Sequence, residues 1–304
     1  MPDSQTPQEL KRVYRIAIAS DLHAHTNRMD YTSGKNIPSW ITPTAGAANK
    51  QNPLADLESL ISDTGLSADV LLCPGDIADK ADDAAMTYAW QELQSIGKKM
   101  GVSAIVGSVG NHDLHSRAAS GDPAGSGVSG NPLPQAHIRM LTPTFPLANA
   151  DENRRFWADH FAISEDEACR IITLNSCSSH GYIHEGSDEY TKGRFSPETE
   201  AGLLQLIKTT ETKPINILLT HHHPQKVSEL TFTDNSTMIR GDRLISLLGT
   251  GEYGSWMIVH GHRHVASFQL GHGDNDRPYI FSAGSLGVIL HTLYYPDRPQ
   301  TNFT

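Results

Sequence analysis

Short uninterrupted apolar runs alternate along the chain with longer stretches whose apolar residues recur at helical spacing. The runs at 13–19, Val70–Cys73, 104–109, 168–174, Ile215–Leu219, 257–259 and 279–281 predict β-strands. The periodic stretches at 54–62, 82–98, 151–160, Pro197–Thr209 and 239–248 predict helices. Pro197 suits a first helical turn, where no N–H is needed, and Ser196 before it is a natural cap. Strands alternating with helices argue for a layered α/β fold.

Two stretches interrupt this rhythm, at 27–52 and 116–146. Both are rich in Pro and Gly, and the second contains SGDPAGSGVSGNPLP. They read as long loop insertions, and excursions of this length in a compact domain are usually functional or disordered. Each leaves a strand end that carries chemistry, so both are expected to wall a pocket and to choose its substrate. No linker separates two cores and no repeat is visible, so the expectation is one domain over 1–304, with a core at about 11–295 and a fraying tail, PDRPQTNFT.

The residues just beyond the apolar runs are unusual. Ser20-Asp21-Leu22-His23 stands after the first and Pro74-Gly75-Asp76-Ile77-Ala78-Asp79 after the second. Gly110-Asn111-His112-Asp113 stands after the third. Thr220-His221-His222-His223-Pro224 and His260-Gly261-His262-Arg263-His264 stand after two later ones. Ligands bind beyond the carboxyl ends of strands in open α/β sheets, so these five ends are expected to meet in one crevice. In Asp21-x-His23 and His262-x-His264 the paired side chains would point the same way on extended backbone. Glycines 75, 110 and 261 would let the chain turn sharply beside them. The set mixes nitrogen and oxygen with no sulfur, which suits Mn, Fe, Zn, Co or Ni. It is too large for one ion and suits two ions sharing a carboxylate, roughly 3.5–4 Å apart.

Composition narrows the field. The net charge is −10, from 34 acidic and 24 basic residues, so there is no basic footprint for nucleic acid. The three cysteines, Cys73, Cys169 and Cys177, are odd in number and lack zinc-module spacing; Cys73 and Cys169 sit in apolar runs and read as reduced core residues. The first twenty residues contain no signal-type apolar region, and no stretch is long enough to span a bilayer, so a cytoplasmic location and no membrane partner are expected. Of the 16 histidines, His137, His160, His180, His184 and His272 lie outside the motifs and read as surface or supporting residues.

The ordered set Asp-x-His, Gly-Asp-x-x-Asp, Gly-Asn-His-Asp, His-x-Pro, Gly-His-x-His, running from 21 to 264, resembles the calcineurin-like metallophosphoesterase family. The resemblance implies a four-layer α/β/β/α sandwich of two mixed β-sheets flanked by helices, around a dinuclear metal centre. It implies that Asp21, His23 and His264 hold one metal, that Asn111, His222 and His262 hold the other, and that Asp76 bridges them. His222 follows from Pro224 two positions later, with His221 as the fallback. His112 resembles the histidine that contacts the reacting phosphoryl group, and Asp79 the aspartate that orients it. His25 and His115 adjoin the motifs and are candidates for substrate contact. The cofactors implied are two divalent or mixed-valence transition-metal ions, Mn, Fe or Zn.

The chemistry accounts for these residue types. Two cations neutralise an anionic ester, and the pKa of a bound water falls from about 15.7 towards about 7, giving a metal-bound hydroxide that attacks in line. Lys80-Ala81 stand where the protein phosphatase branch of the family carries Arg-Gly. The compact motifs look closer to the bacterial cyclic-nucleotide and glycerophosphodiester phosphodiesterases, so a small-molecule phosphodiester is the expected substrate. A phosphomonoesterase or nuclease of the same fold is the alternative. A non-catalytic metal-binding scaffold is the reading from another class; it predicts lost ligands, whereas every motif here is complete.

Overall fold

A computed structural model describes residues 13–26, 38–43, 52–116, 134–182, 192–228, 230 and 234–288. Most of both insertions, His184 and the tail lie outside the described residues. The first sheet is parallel, in the order β1 (Ile16–Ile18), β2 (Val70–Cys73), β3 (Ala104–Gly107). The second takes β4 (Phe161–Glu165), β5 (Cys169–Leu174), β6 (Ile215–Leu219), β7 (Trp256–His260), β8 (Ser267–Leu270) and β9 (Tyr279–Ser282) in the order β4-β5-β6-β7-β9-β8. Its four central strands are parallel, and β4 and β8 close the edges antiparallel.

Alternation along the second sheet shows how the layers stack. Ile171, Ile217, Leu219 and Val259 join one core with β2, β3 and the helices α1 (Pro53–Thr64) and α2 (Asp83–Met100). Their neighbours Ile172, Leu218 and Ile258 face the other way, into a second core with α4 (Pro197–Thr209) and α5 (Gly241–Leu248). Side chains at successive strand positions must point to opposite faces, so the second sheet lies between the first sheet and α4/α5. With α1 and α2 outside the first sheet, the result is the four-layer α/β/β/α sandwich. All four β2 residues are buried, as a parallel strand covered on both faces requires.

The helices start where the sequence marks them. The Ser196 side chain accepts from the Thr199 N–H ahead of Pro197, and Asp82 accepts from the Ala85 N–H at the start of α2. Strands β4 and β8 were not expected. α3 (Ala150–Asp159) ends on His160 at φ 68°, a left-handed stop normally left to Gly, so nothing in the sequence separates it from β4. Edge strand β8 leaves Phe268 and Leu270 exposed, so its alternation is not the signature of a buried strand. All three cysteines are buried and free. Among the described residues no helix is long and apolar enough to cross a membrane.

Candidate metal centre

The ends of β1, β2, β3, β6 and β7 meet at one edge of the sandwich, so the site is built by two sheets and not by one. Asp76 stands in the middle. Its Oδ2 lies 3.4 Å from His23 Nε2 and 3.3 Å from His221 Nε2, while its Oδ1 accepts from the His112 N–H at 2.8 Å. On one side, Asp21, His23, Asp76 and His264 each bring a ligand atom within 4.8 Å of the others. On the other, Asn111 Oδ1, His221 Nε2 and His262 Nδ1 form a triangle with every edge 3.1 Å. Donors on adjacent corners of an octahedral cation with ~2.1 Å bonds stand about 3.0 Å apart, so this triangle is shaped for a cation.

The structure brings both candidates among the three histidines, His222 and the fallback His221, to the centre. His221, the fallback, reaches Asp76, Asn111 and His262, because the Pro74 carbonyl 3.0 Å from its Nδ1 aims its Nε2 inward. His222 turns its Nδ1 to Ser176 Oγ at 2.9 Å and packs near Cys177 and His180. Its ring lies 4.5 Å from that of His262, and His221, His222 and His262 each bring a ligand atom within 4.8 Å of the others.

The backbone is also not extended where expected. Asp21, His23, Asp76, His262 and His264 have φ between 47° and 74°. Left-handed backbone at a residue with a Cβ costs on the order of 1–3 kcal/mol, and it persists where surrounding structure enforces it. The Asp21 carboxylate helps to do so, accepting from the His262 N–H at 3.0 Å and from Ser20 Oγ at 2.6 Å. Gly110 and Gly261 are needed for close approach. A Cβ on Gly110 would stand 2.1 Å from Asp76 Oδ1, and one on Gly261 would stand 2.5 Å from Asp21 Oδ2.

Asp79 serves two histidines at once, with its Oδ1 2.8 Å from His112 Nδ1 and 3.4 Å from His23 Nδ1. Asp113, fully buried, accepts from the N–H groups of Asp76, Ala78 and Gly110 at 2.9–3.0 Å, so it locks the second motif to the third. The sequence shows Asp113 inside Gly-Asn-His-Asp but gives it no task. Asp113→Ala leaves those three donors unpaired in the interior, which we expect to cost roughly 3 kcal/mol or more of stability. Denaturant titration checks this; an unchanged midpoint contradicts it.

The site draws positive charge. Burial would push the Asp76 carboxyl up, but His221, His112 and His23 hold it well below the usual carboxylate range. Asp79 is likewise held low, against burial, by its hydrogen bonds to His112 and His23. Burial opposes charge on His23 and His221, yet the surrounding carboxylates push them up to about 10 and about 9. Burial and the neighbouring histidines instead hold His262 and His264 well down, in the neutral form that can donate a lone pair to a metal. Carboxylates that pull protons onto two of four clustered imidazoles satisfy the same need with cations, so the residues present fit two metal ions.

The two candidates for substrate contact stand in different surroundings. His25 is buried and its Nε2 meets the Ser39 carbonyl at 3.1 Å. His115 groups with Asp83 and His137 instead of with the central residues. Sequence reasoning missed a third feature, the buried pair of His223 Nε2 and Asp234 Oδ2 at 2.6 Å, which Arg263 joins at 3.1 Å. His223 stacks on His262 at 5.6 Å, so this group holds the His262 ring from behind. The run of three histidines was its only signal, because Asp234 belongs to none of the sequence motifs.

A family model for calcineurin-like phosphoesterases matches residues 14–266. Among solved structures, the chain is similar to a purple acid phosphatase from yellow lupin (Lupinus luteus) seeds, with 12% identity and a TM-score of 0.52 over 91% of this chain and 45% of that one. It is also similar to phosphopantetheinyl hydrolase from Mycobacterium tuberculosis, with 13% identity and a TM-score of 0.44 over 94% and 93%. The chain thus spans less than half the length of the lupin protein. Comparison with curated proteins gives no match.

Proposed function

Because this chain belongs to the calcineurin-like phosphoesterase family, whose model spans most of it, we propose that it is a metal-dependent hydrolase of small phosphodiesters. Asp21, His23, Asp76 and His264 would hold one cation, and Asp76, Asn111, His221 and His262 the other. When bound, such cations neutralise phosphate oxygens and make a water acidic enough to attack near neutral pH.

The observation that carries the reading is the pair formed by Asp79 and His112 beside the bridging carboxylate. Asp79 occupies His112 Nδ1 at 2.8 Å, which leaves Nε2 to face outward. The His112 side chain is 37% exposed while Asp79 beneath it is buried, so the ring stands at the mouth of the site. A protonated His112 can then contact the phosphoryl group or give its proton to the leaving oxygen, a contribution of typically ~10²–10⁴-fold. The His112 N–H meanwhile holds Asp76 Oδ1, which keeps Oδ2 between the two ligand groups.

The diester preference rests on the compact motifs and on Lys80-Ala81 in place of Arg-Gly, and the net charge of −10 argues against a polyanionic substrate. A panel of nitrophenyl mono- and diesters, cyclic nucleotides, glycerophosphodiesters and single-stranded DNA tests it. Faster turnover of the diesters, abolished by chelator and restored by Mn²⁺ or a similar ion, is expected. A monoester or DNA preference overturns the diester assignment, and activity on none of them favours the scaffold reading.

A further inference from the structure

A second group of metal-ligating side chains stands apart from the centre. Asp83 opens α2, His115 lies just beyond the Gly-Asn-His-Asp motif, and His137 immediately precedes a short 3-10 helix at Ile138–Met140. One ligand atom from each lies within 4.8 Å of the others. We propose that Asp83, His115 and His137 form a separate binding site for a divalent cation of the zinc class.

His137 is the observation that points to a ligand. Its side chain is only 8% exposed, yet neither ring nitrogen makes a hydrogen bond of acceptable geometry, and its Nε2 faces Asp83 Oδ1 from 3.8 Å. A buried imidazole without hydrogen bonds is costly, and a cation removes that cost. The His115 ring lies 5.1 Å from it, inclined at 61° in a T-shaped arrangement. Burial, helped by the neighbouring His115, holds the His137 pKa below its ordinary value against the pull of Asp83, which favours the neutral ring that can coordinate.

The donor set has two nitrogens and one carboxylate oxygen. That composition suits zinc, with a fourth position open to water. Donors on a tetrahedral zinc stand roughly 3.3 Å apart, so the three groups must close slightly. Asp83, whose side chain is 69% exposed, is free to move inward. A cation here would tie the loop that carries Asn111 and His112, and the residues entering the 3-10 helix, to the first turn of α2. It would brace the catalytic loop without touching the substrate.

Metal stoichiometry of the full chain decides the question independently of turnover. After chelator stripping and equilibrium dialysis against zinc, elemental analysis is expected to give three equivalents for the wild type. His137→Ala is expected to retain two, and Asp83→Ala, at an exposed position that tolerates truncation, is expected to match it. If circular dichroism shows His137→Ala unfolded, Asp83→Ala alone decides. Two equivalents in the wild type, or a third that survives in the folded variants, overturns the proposal. Asp76→Ala separates this test from the reading of the main centre, because its loss should remove the two central equivalents and leave the third.

Discussion

Asp76→Ala is expected to lose both central cations and to turn substrate over at least ~10³-fold more slowly, equivalent to about 4 kcal/mol of transition-state stabilisation. One carboxylate carries this effect because of where its oxygens point. Oδ2 lies 3.4 Å from His23 Nε2 and 3.3 Å from His221 Nε2, so it belongs to both ligand groups. Oδ1 is bound by the His112 N–H, so truncation also frees the catalytic loop. Elemental analysis beside kcat makes the comparison. A variant that kept both cations and turned over normally would show that Asp76 bridges nothing.

His112→Ala is expected to lower kcat by roughly 10²–10⁴-fold and to leave metal content unchanged. Asn111 next to it faces the cation triangle, whereas the His112 ring is turned out to solvent on Asp79. On the proposed reading the neighbours divide binding from chemistry. Asp79→Asn should have a smaller effect in the same direction, since the amide still supports the ring but no longer stabilises its charged form. Loss of a metal equivalent from His112→Ala, with unchanged turnover per remaining centre, contradicts this division.

Much of this was legible in the sequence because the signals were local. A continuous apolar run such as Val70–Cys73 can only be buried on both faces, and a polar pair at its end has one place to go. The remainder depended on contacts distant in sequence. Spacing from Pro224 favours His222, but the Pro74 carbonyl, from a different motif, aims His221 into the centre. The left-handed backbone at Asp21, His23 and Asp76 has no glycine to announce it. Asp113 reads as the last letter of a motif, and its work becomes visible only when the N–H groups of Asp76, Ala78 and Gly110 gather around it. Asp83, His115 and His137 belong to three separate segments, so no spacing rule joins them.

Whether phosphoester turnover depends on returned metal is the decisive measurement. Wild-type protein is stripped with chelator, shown by elemental analysis to be empty, and assayed on a nitrophenyl diester as Mn²⁺ is added back. The stripped protein should show no turnover, activity should recover as the cations return, and Asp76→Ala should not recover at any concentration. Turnover that persists in the verified metal-free wild type, or that Mn²⁺ restores equally in Asp76→Ala, would refute hydrolysis by cations held at this centre.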